Sequence, residues 1–312
     1  MTTAISPVAV RMPRTREPVA DILARAGRPA SEQRMFQRMY GLRDTRVLTG
    51  DETFEDLLAD AGTEALRGHQ PDLVLYGHTV LTQSMAYRPG FARRLGERLG
   101  APGVPVLGIT QTACTSVLHG IDLASRWLGG PGGAGERVLV LGGDQGSVSD
   151  SVRIIPGVTV AGDGAAAVVV HRGTDRYAYL GGARAKDTRF HRNMAMDAEE
   201  RRYFGPATEA GAVDVVGSAV SAAGLTLTDI DWILPHHNNA MFWRGFARTT
   251  GFPRERIVLD LLPEYGHVFG IDGLLGLEHL DRTGRLPAGG RGVLVALGQG
   301  AYFQAAVIER KE

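Results

Sequence analysis

The chain has 312 residues, of which 44% are hydrophobic and 22% are charged, so it can bury a large core in one large or two ordinary domains. Its 34 basic residues balance 34 acidic residues, and this balance argues against binding to nucleic acid or to an anionic membrane surface. The absence of an apolar run of roughly 18 residues, the single cysteine and the basic amino terminus together predict a cytoplasmic protein that does not span a membrane.

The first chemically informative segment is residues 108–116, where a predicted buried strand passes into a helix. Apolar residues then recur with a 3.6-residue period, at positions 117, 118, 121, 124, 127 and 128. The only cysteine, Cys114, therefore precedes the first helical turn. The positive end of the helix dipole favours a thiolate there, which predicts a nucleophile. A lone cysteine is also commonly an inert buried residue, so further residues must decide.

Polar side chains follow a second apolar run, at residues 231–234. They are four consecutive residues: His236, His237, Asn238 and Asn239. Open α/β sheets bind ligands outside the carboxyl ends of their strands, so a site is expected here. After a predicted helix (240–250) and a predicted strand (256–260), the segment 264–272 adds His267 and Asp272. The clustering indicates a site, whereas the scattered histidines are expected to be structural: His78, His119, His171, His191 and His279.

The two halves of the chain repeat one pattern. The run at residues 72–77 corresponds to the run at 231–236, and the run at 137–144 corresponds to the run at 291–300, at nearly the same offset of about half the chain length. Each strand is a near-continuous apolar run, which is typical of strands covered by helices on both faces. We predict an α/β fold of duplicated βαβ halves, residues 1–172 and 173–312, in an α/β/α/β/α arrangement.

Short motifs occur in the order and spacing of a known family. They lie at residues 40–43, 113–116, 160–169, 234–239 and 265–267. With these motifs the chain resembles the β-ketoacyl-acyl-carrier-protein synthase III family of the thiolase superfamily over nearly its whole length. The resemblance implies a thiolase fold, an acyl carrier protein as partner, a homodimer, and a cysteine that receives an acyl group from a thioester.

Individual roles follow from the same resemblance. Cys114 becomes the nucleophile, His236 the catalytic histidine, and the backbone N–H groups of Cys114 and Gln299 the oxyanion hole. Substrate contacts are expected at three neighbouring residues: His237, Asn239 and Phe269. No cofactor or metal is expected, because protein groups alone can exchange thioesters.

The chain departs from the family at the second catalytic residue, where His267 replaces an asparagine. Two hypotheses follow. A Cys-His-His set resembles ketosynthases that decarboxylate a malonyl thioester and form a carbon–carbon bond. Alternatively, a histidine acts as general base on an incoming hydroxyl or amine, as in synthase III-like acyltransferases. Asp272 could orient either imidazole, or simply favour the start of a helix.

Two further departures concern the substrates. The positions of the family's adenine-stacking tryptophan and nearby arginine hold Met35 and Met39, which favours a carrier-protein donor over free coenzyme A. Val268 and Phe269 replace small residues and suggest a recast cavity. We therefore favour an acyltransferase of secondary metabolism that acts on a small-molecule or carrier-bound acceptor.

Two alternatives come from other functional classes. The chain could be a non-catalytic ketosynthase-like partner subunit, although Cys114 and His236 are both retained. It could also be a metal hydrolase that uses His236, His267 and Asp272 as zinc ligands.

Overall fold

Strands and helices alternate along most of the chain. The computed structural model describes residues 3–80, 90–130, 135–192 and 195–312. Within these residues the strands are β1 (Thr3–Ile5), β2 (Ala9–Arg11), β3 (Thr15–Pro18), β4 (Asp44–Val47), β5 (Leu73–Gly77), β6 (Val106–Ile109), β7 (Arg137–Gln145), β8 (Ile154–Ile155), β9 (Thr159–Val160), β10 (Asp163–Arg172), β11 (Tyr177–Lys186), β12 (Trp232–Leu234), β13 (Arg291–Gly298) and β14 (Tyr302–Arg310). The helices are α1 (Val19–Arg25), α2 (Ala30–Arg38), α3 (Phe54–Leu66), α4 (Phe91–Arg98), α5 (Ser116–Gly129), α6 (Asp150–Arg153), α7 (Ala198–Ala222), α8 (Ala240–Thr250), α9 (Leu262–Tyr265) and α10 (Asp272–Arg282).

One large sheet runs through the molecule, and β1 joins its two halves. The strand order is β12-β13-β14-β11-β1-β10-β7-β5-β6, and β2 also pairs with β10. Strand β1 pairs antiparallel with both β10 and β11, so each half of the sheet begins at the same short strand.

The two halves of the sheet repeat one pairing pattern. In the first half β5 pairs parallel with β7, which pairs antiparallel with β10. In the second half β12 pairs parallel with β13, which pairs antiparallel with β14. The sequence correspondences therefore fall on equivalent strands, and the prediction of duplicated halves is confirmed. The predicted domain boundary falls at the carboxyl end of β10 and stays a prediction.

Helices cover both faces of each half. An apolar cluster between the halves contains α5, α10 and strands from both halves, and burying one of its aliphatic side chains, such as Ile121, contributes about 1.5–3 kcal/mol. Helices α3 and α4 pack on the outer face of β5 and β7. Helices α7 and α8 pack on the outer face of β13. This is the predicted α/β/α/β/α arrangement.

Two local predictions were wrong. The strand before Cys114 is an edge strand rather than a buried one, since β6 pairs with β5 alone among the described strands and Leu107 is 54% exposed. Residues 256–260 form a single bridge from Ile257 to Ile233 instead of a strand, because the chain turns into α9 immediately afterwards. None of the helices in the described ranges has the length and apolar composition needed to cross a membrane.

Candidate active site

Cys114 lies on a sharp turn between β6 and α5. A 3-10 turn, Ala113–Thr115, leads directly into α5, and Ala113 has a φ of 50°. This left-handed conformation is uncommon for a residue with a Cβ, so the surroundings must hold it. Gly298, at the end of β13, provides that support: a Cβ there would lie 2.6 Å from the Thr112 carbonyl oxygen. The turn places Cys114, 5% exposed, at the amino end of α5.

His267 and Asp272 approach Cys114 from the segment between α9 and α10. Nε2 of His267 lies 3.7 Å from Sγ of Cys114, and Nδ1 of His267 donates a hydrogen bond of 2.7 Å to Oδ2 of Asp272. The backbone N–H groups of His237 and Val268 also donate to this carboxylate, each at 2.7 Å. The structure therefore brings together the predicted nucleophile, an imidazole and a carboxylate that fixes the imidazole. Asp272 both begins α10 and orients His267.

The charges in this set follow from burial and proximity. Burial alone would disfavour a charged imidazole, but the Asp272 carboxylate and the Cys114 sulfur outweigh it and raise the pKa of His267 to about 10. Burial opposes the charge of Asp272 as well, yet the adjacent His267 lowers the pKa of Asp272 below its ordinary value. His267 and Asp272 are therefore a buried ion pair at neutral pH.

His236 lies beside the ion pair but is not part of it. Its ring is 4.4 Å from the His267 ring, measured between centroids, at 64°. Nδ1 is 3.5 Å from Oδ2 of Asp272 and has no hydrogen-bond partner among the described residues. Burial, followed by the positive His267, lowers the pKa of His236 to about 3. His236 is therefore neutral at physiological pH.

Cys114, His236 and His267 are also the potential metal ligands at this site, because one ligand atom from each lies within 4.8 Å of the others. The alternative that the sequence left open used Asp272 as a ligand. In the structure the Asp272 oxygens instead accept hydrogen bonds from His267 and from two backbone N–H groups.

His237 and Asn239, the predicted substrate contacts after β12, take scaffold roles. Nδ1 of His237 donates to the Gly266 carbonyl oxygen at 3.1 Å, and the His237 carbonyl accepts from Thr159 at 3.0 Å. The Asn239 side chain caps α8 by accepting from the Phe242 N–H at 2.9 Å. Their predicted contacts with substrate stay predictions.

Phe269 and Gln299 lie on segments that adjoin Cys114. Phe269 packs with Cys114, Val80 and Ala161 in a small apolar cluster, so it forms part of the wall around the sulfur. Gln299 follows the last residue of β13, and Gly298 packs against the Cys114 turn. The predicted substrate contact of Phe269 and the predicted oxyanion-hole N–H of Gln299 stay predictions.

Thr79 and Asp144 were missed by the sequence analysis. Thr79, just after β5, places its hydroxyl 3.6 Å from Sγ of Cys114. Asp144, near the end of β7, is fully buried and accepts hydrogen bonds from the Thr79 backbone. The sequence signal that could have found them was a carboxylate at the end of an apolar strand. Parallel strands β5 and β7 end at the same edge of the sheet, so residues that follow β5 lie near that carboxylate.

Solved structures with the same architecture identify the fold. 3-Oxoacyl-(acyl carrier protein) synthase III, FabH, from Pseudomonas aeruginosa aligns with a TM-score of 0.83 at 21% identity, over 100% of this chain and 99% of that chain. The acyltransferase ChlB3 aligns with a TM-score of 0.83 at 21% identity, over 100% and 98%. OleA from Xanthomonas campestris aligns with a TM-score of 0.80 at 18% identity, over 99% of each chain. The protein has a thiolase fold.

Sequence comparison identifies the family. The model of 3-oxoacyl-[acyl-carrier-protein] synthase III matches residues 110–186, and the model of its C-terminal part matches residues 220–310. The β-ketoacyl-[acyl-carrier-protein] synthase III of Sphingopyxis alaskensis is 29% identical over 319 positions, covering 95% of each chain. Synthase III 3 of Streptomyces coelicolor is 29% identical over 280 positions, covering 81% of this chain and 82% of its own. The chain belongs to the β-ketoacyl-acyl-carrier-protein synthase III-like family of the thiolase superfamily, as its motifs predicted.

Proposed function

We propose that the protein transfers an acyl group through a thioester on Cys114 to a small or carrier-bound acceptor. The observation that carries this proposal is the series of contacts from the Cys114 sulfur through His267 to Asp272, at 3.7 Å and 2.7 Å. A nucleophile, a base and a carboxylate that orients the base are the set that acyl transfer requires.

In the first half-reaction the Cys114 sulfur, whose proton His267 already holds at the start, attacks the carbonyl carbon of the incoming thioester. A sulfur–carbon bond forms and the carbonyl electrons move onto oxygen, where the predicted N–H donors of Cys114 and Gln299 would stabilise them. When the carbonyl re-forms, the bond to the carrier sulfur breaks. The carrier thiolate takes the proton from His267, which leaves acyl-Cys114 beside a neutral imidazole.

In the second half-reaction neutral His267 takes a proton from a hydroxyl or amine acceptor. The acceptor oxygen or nitrogen attacks the acyl carbon, and the bond from that carbon to Sγ breaks. Cys114 leaves as a thiolate beside protonated His267, so the starting charges are restored. Asp272 supports both steps because its carboxylate stabilises the imidazolium without accepting the proton.

Decarboxylative condensation with a malonyl thioester is the second candidate. His236 favours it, because His236 and His267 are both close enough to Cys114 to share one thioester oxygen. Acyl transfer remains our first choice, since the Asp272 carboxylate makes His267 more basic. A strong base is needed to deprotonate an acceptor, whereas stabilising an enolate requires hydrogen-bond donors.

We infer that an acyl carrier protein delivers the donor. Met35 lies on α2 and Met39 immediately follows it, and Met39 is 49% exposed. Neither thioether reproduces the stacking of an aromatic ring on adenine. Val268 and Phe269, both buried beside the reacting groups, support a substrate outside ordinary chain initiation and hence a role in secondary metabolism.

Intact-protein mass spectrometry with acyl and malonyl carrier-protein thioesters tests the proposal. We expect wild type and the control His279→Asn, a half-buried change on α10, to gain the acyl mass, and Cys114→Ala to gain none. His267→Asn should acylate slowly and fail to pass the group to hydroxyl or amine acceptors.

Each contrary outcome points to a different function. Release of carbon dioxide from a malonyl donor would favour condensation. No adduct with any donor would favour the non-catalytic partner, and stoichiometric zinc in the purified protein would favour a metal hydrolase.

A further inference from the structure

A second buried carboxylate, Asp144, lies close to Cys114 but takes no part in the steps above. It belongs to β7, whereas the Asp272 carboxylate begins α10. Its oxygens accept hydrogen bonds from the backbone N–H of Thr79 at 2.9 and 3.0 Å and from that of Val80 at 2.7 Å. Asp144 therefore fixes the two residues that leave β5 toward the active site.

Both of these residues contact the nucleophile. The Thr79 hydroxyl is 3.6 Å from Sγ of Cys114, within hydrogen-bond distance of the sulfur. Val80 packs with Cys114 in the apolar cluster that also includes Phe269. The Cys114 sulfur is thus contacted by His267 from one segment of the chain and by Thr79 from another.

A fully buried carboxyl is costly to maintain unless its oxygens are bonded. Burial raises the pKa of Asp144 to about 7, and the Thr79 and Val80 N–H groups oppose that shift. The Thr79 hydroxyl can also reach the Asp144 carboxylate, so its single proton has two possible acceptors. Negative charge on the sulfur would draw that proton toward Cys114, because hydrogen bonds to charged acceptors are the stronger ones.

We propose that Asp144 positions Thr79 so that its hydroxyl donates a hydrogen bond to the Cys114 sulfur whenever the sulfur is negative. In acylation the sulfur is the nucleophile, and in acyl transfer it is the leaving group. Thr79 touches the reacting atom and is a catalytic residue, whereas Asp144 acts through Thr79 and is a positioning residue. The inference deepens the proposed acyl transfer through Cys114 and rests on it.

Alkylation of the full chain by iodoacetamide tests the inference. Cys114 is the only cysteine, so the rate of mass gain reports on this sulfur alone. The sulfur–carbon bond forms as iodide leaves. We expect Thr79→Val to slow alkylation about ten-fold and to move the half-maximal rate to higher pH by about one unit. Thr79→Ser keeps the hydroxyl, so its alkylation rate and the pH of its half-maximal rate should match those of wild type. Asp144→Asn should slow alkylation and raise the pH of the half-maximal rate, as Thr79→Val does.

Thr208→Val is the matched control, because it removes a hydroxyl on α7 that donates to the Phe204 carbonyl, far along the chain from Cys114. It should react like wild type. A wild-type rate and pH profile for Thr79→Val would overturn the inference, and Thr79→Ser that reacts as slowly as Thr79→Val would do the same. If Asp144→Asn fails to fold, the two Thr79 variants still decide. Because iodoacetamide needs no acyl donor, this result is independent of whether acyl transfer itself is detected.

Discussion

Two neighbouring imidazoles at this site have opposite electrostatic surroundings. His236 is kept neutral by burial, with a pKa lowered to about 3, while Asp272 raises the pKa of His267 to about 10. Only His267 has a carboxylate hydrogen-bonded to one nitrogen and the sulfur near the other. In the proposed reaction we therefore assign proton transfer to His267, the residue that departs from the family pattern, and we propose that His236 orients the substrate or forms a hydrogen bond with it.

The ion pair of His267 and Asp272 should make stability depend on pH. The pKa of His267 rises from 6.5 in the unfolded chain to about 10, so its stabilising contribution is complete below about pH 6.5 and is lost as the pH rises through 10. We expect the free energy of unfolding of wild type to exceed that of His267→Asn/Asp272→Asn most at the acidic end of this range. The excess should shrink by no more than about 5 kcal/mol toward pH 10.

Urea unfolding of both proteins between about pH 6 and pH 10 provides the measurement. The double variant removes both charges together, so no unpaired carboxylate is left buried. A constant difference across the range would contradict the ion pair.

At the level of elements, the position of Cys114 depends on the contact of its turn with the end of β13. We expect Gly298→Ala to slow acylation of Cys114 by ten-fold or more, since its Cβ would lie 2.6 Å from the Thr112 carbonyl oxygen and 3.0 Å from Cβ of Tyr302. Backbone at Thr112 would have to move, and Cys114 is two residues away.

Gly217→Ala is the matched control for this change. Gly217 lies on the exposed face of α7 with nothing within 4 Å of its Cβ position, so alanine should leave acylation unchanged and stabilise the helix slightly. Equal acylation rates for the two variants, measured by intact mass, would show that the turn tolerates displacement.

The elements that sequence reasoning predicted well are those with a strong local pattern. Helix α8 begins and ends as expected, at Ala240 and Thr250, and the apolar period of α5 correctly placed Cys114 before its first turn. Edge or central position in a sheet depends instead on distant partners, which is why β6 was wrongly expected to be buried. Thr79 and Asp144 were missed for the same reason: both are ordinary residue types, and only the pairing of β5 with β7 brings them together.

At the level of the whole molecule, duplication explains how the site is assembled. The first half contributes Cys114 just before α5, and the second contributes His267 just before α10, with Asp272 as its first residue. These helices share the central apolar cluster, and their starts are in contact: a Cβ at Gly270 would lie 3.3 Å from the Cys114 carbonyl oxygen. The positive ends of two helix dipoles therefore meet beside the Cys114 sulfur and the Asp272 carboxylate, where they favour negative charge.

The exposed edge of β6 carries the last prediction, a homodimer in which the sheets of two copies join. Among the described strands β6 pairs only with β5, so its other edge offers unpaired backbone groups to a second chain. We expect light scattering to give twice the chain mass of 33.4 kDa for wild type, and a shift toward monomer for Leu107→Lys, which places like charges across the two-fold axis. Met39→Lys also replaces an exposed apolar side chain with lysine, but at a position outside the sheet, and it should leave the dimer intact. A monomeric wild type would exclude the dimer, and a dimeric Leu107→Lys would place the interface elsewhere.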